Sequence, residues 1–144
     1  MVEKILVETD FLFALNPRNH LHQAALKLLE KAAEKRALLH ISPAAPIEAS
    51  LTLMSRGFNY EQAARILEAM ERAIARYTKA ISLRLDLSTV NYSFRLRAKY
   101  SQLGFFDSLH ASLALLNMLT YVGSDEKVAK VVEEEGGIAQ RLSS

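Results

Sequence analysis

A short apolar run followed by a stretch with helical spacing recurs along this chain, and that alternation limits the folds open to it. KILVET (residues 4–9) is apolar and β-prone, and from about His20 to Arg36 apolar side chains recur at Leu21, Ala25, Leu28, Leu29 and Ala32, as on one face of a helix. LLHIS (38–42) reads as a second strand, halted by Ser42, Pro43 and Pro46, which also start a helix that ends near Arg56 with Gly57 as terminator. A helix from about Tyr60 to Tyr77 places Ala63, Ile66, Leu67, Met70 and Ile74 on one stripe; AISLRL (80–85) is extended; a further helix runs from about Ser88 to Leu103, closed by Gly104. DSLHASLALLNM (107–118) is a strongly apolar helix, LTYVG (119–123) a strand, and Glu126 to Glu135 a last helix before the Gly136-Gly137 break and a short tail. Parallel neighbours in a sheet need helical crossovers, so the expected fold is α/β, a three-layer α/β/α sandwich around a mainly parallel central sheet. In such folds sites form at the carboxyl ends of the strands.

The length, 144 residues, suits a single domain over 1–144 with one site. Without cysteine the chain builds neither a disulfide framework nor a thiolate metal site. The opening MVEKILVETDFLF mixes acids with apolar residues, unlike a signal peptide or anchor, and no apolar run is long enough to span a bilayer. The expectation is a soluble, cytoplasmic protein with no membrane partner. The net charge of +2 does not by itself argue for nucleic acid. Between Arg56 and Lys99, however, nine basic residues stand against four acids, and Arg95, Arg97 and Lys99 become candidates to steer a polyanion, although the solvated faces of two amphipathic helices explain them better.

More telling is where charges are missing. Between Lys4 and Arg18 the only formal charges are Glu8 and Asp10; between Arg36 and Arg56 the only one is Glu48; between Lys99 and Asp125 the only one is Asp107. Desolvating a carboxylate costs several kcal/mol unless a cation or hydrogen bonds compensate, and the neighbouring sequence supplies no Lys or Arg. Taken singly, Asp107 and Asp125 read as helix N-caps and Glu48 as a first-turn charge that suits the helix dipole. Glu8 and Asp10, two apart at a strand end, would lie on one side and repel without a cation between them. One site around Mg²⁺ or Mn²⁺ explains all the acids more economically than a set of coincident caps.

The runs ILVETDFLFAL, SPAAPIEASLTL, LGFFDSLHASLAL and LTYVGSDEKV, in that order and spacing, resemble the PIN-domain family, especially its VapC-like toxin ribonucleases. The likeness covers nearly the whole chain. It implies a metal-dependent endoribonuclease, the toxin of a type II toxin-antitoxin pair, hydrolysing RNA phosphodiesters. Carried over, the family's acids become Glu8 with Asp10, then Glu48, Asp107 and Asp125, with Glu8 and Asp107 as direct ligands of Mg²⁺ or Mn²⁺. Asp10 and Asp125 join them or bind a second ion, Glu48 positions water or acts through bridging waters, and Ser124 is a further candidate for a hydrogen bond to a ligand or phosphate. The resemblance also implies a small antitoxin partner and a homodimer, for which Leu67, Met70 and Ile74 are a candidate face that serves a core equally well.

One departure from the family pattern is Glu8, where the usual acid is Asp. The extra methylene would move a cation by about an ångström, and misplacement on that scale can cost roughly a hundredfold in rate. It keeps alive an alternative, a PIN-like RNA- or protein-binding module without nuclease activity. It also sets aside haloacid dehalogenase-like phosphatases, which need an Asp nucleophile there. His20, His22, His40 and His110 form no paired-ligand spacing, and His110, one turn after Asp107, reads as a packed helix residue outside the site.

Overall fold

In the computed structural model, which describes residues 2–143, the elements follow in the order β1 (Glu3–Val7), α1 (Thr9–Ala14), α2 (His22–Ala33), β2 (Ala37–Ile41), α3 (Ala45–Ser55), α4 (Tyr60–Ala75), α5 (Leu87–Lys99), α6 (Phe105–Leu116), β3 (Thr120–Gly123), α7 (Glu126–Glu134) and β4 (Ala139–Arg141). The four strands form one sheet in the order β2-β1-β3-β4, and every neighbouring pair is parallel. The expected α/β sandwich around a parallel sheet is therefore the observed one.

Alternation along β1 explains the three layers. Ile5 and Val7 join Phe11, Ala25, Leu29, Ala49, Met70 and Ile74 in one buried cluster, while Leu6 joins Leu96, Ala111, Leu113, Tyr121, Val128 and Val132 in another. Successive strand residues point to opposite faces, so α1 to α4 cover one face of the sheet and α5 to α7 the other. Met70 and Ile74 belong to the first core, which withdraws them from the face considered for pairing between copies. Among the described residues, no helix is long and apolar enough to cross a membrane.

Three details refine or correct the sequence reading. β1 stops at Val7 rather than running through Thr9, because Glu8 turns the chain and caps α1 with its own carboxylate. The extended segment AISLRL joins the sheet at one point only, where Ile81 makes a lone parallel bridge to His40. The tail after Gly137 contains β4, an edge strand whose composition gives no strand signal; it is held by the ladder to β3 and by Leu142, which is buried. Gly136, at φ +92°, makes the turn into it, and Gly137 packs so closely on Leu115 and Val132 that a Cβ would stand 2.8 Å from either side chain.

Candidate metal centre

The register of the sheet sets the site. Val7 pairs with both Ile41 and Val122, so the carboxyl ends of β1, β2 and β3 are level. Just beyond them stand Glu8, Ser42, and Ser124 with Asp125. The first turn of α3 adds Glu48, and the first turn of α6 adds Asp107. Helix α6 begins at Phe105 behind Gly104, so Asp107 sits inside its first turn and is not the cap, leaving its carboxylate free for other work. Among the described residues no Lys or Arg side chain forms an ion pair with Glu8, Asp10, Glu48, Asp107 or Asp125.

A common pattern governs four of these acids: a protein donor anchors one oxygen. Glu8 Oε1 accepts from the Asp10 backbone N–H at 3.1 Å. Asp10 Oδ2 accepts from the Ser124 backbone N–H at 2.7 Å and from the Ser124 hydroxyl. Glu48 Oε1 accepts from the Thr9 hydroxyl and from His110 Nε2, the latter at 2.9 Å. Asp125, the N-cap of α7, accepts from the Lys127 backbone N–H at 2.8 Å. Asp10 Oδ1 is buried with no hydrogen-bond partner. Anchoring of this kind orients the groups that hold a metal and is worth about 10–100-fold in affinity.

Glu8 and Asp10 do not share one side of a strand, as their spacing had suggested. The strand ends before them, and the turn into α1 sends Glu8, only 6% exposed, toward α6 and Asp10 toward Ser124. His110 is the residue that sequence reasoning left out. It is fully buried, its Nδ1 is 2.7 Å from Ser42 Oγ, and its Nε2 lies 3.8 Å from Glu8 Oε2. Ligand atoms of Glu8, Glu48 and His110 lie within 4.8 Å of one another. The available signal was the position of His110 one turn from Asp107 on a helix otherwise without charge, so that its ring points along the same stripe.

The electrostatics fit a cation. Burial pushes the Asp107 carboxyl up, and the charges of Asp125, Glu48 and Asp10 push it further, outweighing His110. The acids are thus close enough to repel one another. Burial also pushes the Glu48 carboxyl up, but hydrogen bonds from His110 and Thr9 outweigh it and hold the group below the usual range. With Glu48 ionised and able only to accept, His110 Nε2 donates to it, while Nδ1 lies within hydrogen-bond distance of Ser42 Oγ. Oxygen donors with one imidazole in support suit Mg²⁺ or Mn²⁺, and Asp10 Oδ1, to which no protein group donates among the described residues, has lone pairs to offer such an ion.

A parallel α/β sandwich with unpaired acids at the carboxyl ends of its strands defines a class, and comparison with known proteins agrees with it. The PIN domain model matches residues 5–134, and the chain belongs to the PIN-domain family. No curated protein matches it in sequence. Among solved structures, it shares its fold with VapBC2 from Rickettsia felis bound to a DNA fragment from the promoter (21% identity, 96% of this chain and 98% of that one, TM-score 0.65). FitAcB from Neisseria gonorrhoeae is similar at 15% identity over 96% and 97% of the two chains, with a TM-score of 0.65. DNA-bound VapBC from Salmonella typhimurium is similar at 17% identity over 99% of each, with a TM-score of 0.63.

Proposed function

We propose that residues 1–144 form one metal-dependent endoribonuclease domain and act as the toxin subunit of a type II toxin-antitoxin pair. The observation that carries this reading is the convergence of Glu8, Asp10, Glu48, Asp107 and Asp125 at the carboxyl ends of the strands with no Lys or Arg partner among the described residues, one of them presenting a buried oxygen to which no protein group donates. Mg²⁺ or Mn²⁺ held there lowers the pKa of a water and offsets charge on the phosphoryl group being transferred. Glu8 and Asp107 are the direct ligands in this account, with Asp10 and Asp125 completing the set. Glu48, fixed by Thr9 and His110, orients the attacking water through its second oxygen. Ser124 holds Asp10 in place.

The RNA chain needs a path to these acids. A cleft of about 420 Å³ runs from Asp10 and Ser124 to Arg18, His20 and Arg56. Arg56 is steadied over the Phe13 ring at 5.0 Å, and neither arginine has an acidic partner among the described residues. Those two, rather than the α5 cations, are placed to grip phosphates beside the scissile bond. Lys99 is already paired with Glu135 at 2.7 Å, and Arg97 donates to the Leu103 carbonyl. A small antitoxin partner follows by analogy with the VapBC and FitAcB structures, and a homodimer and a cytoplasmic setting belong to the same proposal.

The competing reading, a binding module that does not cut, draws on Glu8, which spends one oxygen capping its own helix. Purified protein and a mixed single-stranded RNA separate the two. Cleavage in Mn²⁺ that disappears with EDTA and with Asp107→Asn supports the nuclease; RNA binding without cleavage in any divalent cation supports the module.

A further inference from the structure

Among the described residues, two buried side-chain polar atoms have no hydrogen-bond partner, Asp10 Oδ1 and the hydroxyl of Tyr121. They are chemically complementary, since a phenol donates and a carboxylate only accepts. A buried donor or acceptor left unsatisfied is costly. Their side chains also lie against consecutive residues, Gly123 and Ser124. A Cβ on Gly123 would stand 2.2 Å from the Tyr121 oxygen, so the phenol tip occupies the space where a side chain at 123 would begin. The next residue, Ser124, donates to the other oxygen of Asp10. Tyr121 enters from below the site, its ring packed in the core with Leu6, Leu96 and Leu113, and itself wholly buried.

Burial first, and then the charges of Asp10, Asp107, Asp125 and Glu48, raise the Tyr121 phenol well above its ordinary value, which keeps the proton on and the group a donor. Packing alone does not call for that hydroxyl, because a phenylalanine fills the same core volume without burying an unsatisfied group.

We propose that Tyr121 is a positioning residue of the metal centre: its hydroxyl donates to a water that in turn donates to Asp10 Oδ1, fixing the free oxygen of that carboxylate from beneath. A water between them would meet a donor on one side and an acceptor on the other, and such a bridge is nearly as good as a direct hydrogen bond. Gly123 is then required for the tyrosine to reach. The inference rests on the divalent-metal reading above and concerns how one of its ligands is aimed.

Mn²⁺ binding, followed through the electron paramagnetic resonance signal of the free ion, tests it without any turnover. Tyr121→Phe is expected to melt close to the wild-type temperature in EDTA, because the ring still fills the core, yet to bind Mn²⁺ about three- to tenfold more weakly, the effect of one hydrogen bond. Tyr121→Leu with Gly123→Ser returns a hydroxyl to the vacated volume and is expected to bind more tightly than Tyr121→Leu alone. Equal Mn²⁺ affinity in wild type and Tyr121→Phe overturns the role given to Tyr121 and leaves the metal centre standing. Failure of the wild type to bind Mn²⁺ overturns both.

Discussion

His110 Nε2 lies 2.9 Å from Glu48 Oε1 while its Nδ1 lies 2.7 Å from Ser42 Oγ, so one buried ring ties α6 to α3 and to the end of β2. His110→Leu keeps the apolar volume but frees Glu48 to rotate and strands the buried Ser42 hydroxyl. The expected loss is about 10–100-fold in Mn²⁺ affinity or cleavage rate, with about 1–3 kcal/mol of stability. Denaturant melts and Mn²⁺ titration check both. A variant that melts early but binds and cuts normally would make His110 a packing residue only.

Asp107 bears the repulsion of the cluster. Its folded carboxyl is raised above the ordinary 3.8 by burial and by Asp125, Glu48 and Asp10, so its ionised form opposes folding at neutral pH, and stability recovers as pH falls through the folded value. Asp107→Asn should therefore melt about 2–4 °C higher than wild type in EDTA. It should also lose the metal-dependent rise in melting temperature that wild type shows. Scanning calorimetry with and without Mn²⁺ measures both; a lower melting temperature in EDTA would show that Asp107 is structural.

Glu8 carries one methylene more than the acid usual at this place in the family. Glu8→Asp retains an N-cap for α1 and shortens the reach of the carboxylate. If the extra length displaces the cation, kcat/KM for RNA rises by roughly an order of magnitude or more. A fall would mean that the pocket around His110 is fitted to glutamate.

The arginine cleft predicts a different kinetic pattern. Arg18→Ala and Arg56→Ala should raise KM severalfold with kcat little changed, since they touch flanking phosphates and not the phosphoryl group that reacts. Each should also lower the slope of log affinity against log salt by about 0.7, the value for one phosphate contact on a single strand. An unchanged slope in both variants would place the RNA elsewhere.

Much of this was legible in the sequence because the physics is local. Each of β1, β2 and β3 carries a short apolar stretch, most completely buried at Ile5–Val7 in the central strand β1, and the acids stood out because no basic residue lay near them. What escaped depended on contacts distant in sequence. β4 exists because Tyr121 and Ala139 pair, and the residues Ala139–Arg141 carry no strand pattern of their own. The role of His110 depends on Glu48, 62 residues away, and the anchor of Asp10 on Ser124, 114 residues away. The geometry of Glu8 was misread for the opposite reason: a helix cap two residues from an acid looks in sequence like the end of a strand.

Diffraction from crystals soaked in Mn²⁺, collected for its anomalous signal, tests the central claim most directly. The account predicts a peak at the carboxyl edge of the sheet, with carboxylate oxygens of Glu8, Asp10 and Asp107 about 2.0–2.3 Å from it. Soaked crystals with no peak there, from protein that still cuts RNA in the presence of EDTA, would contradict it.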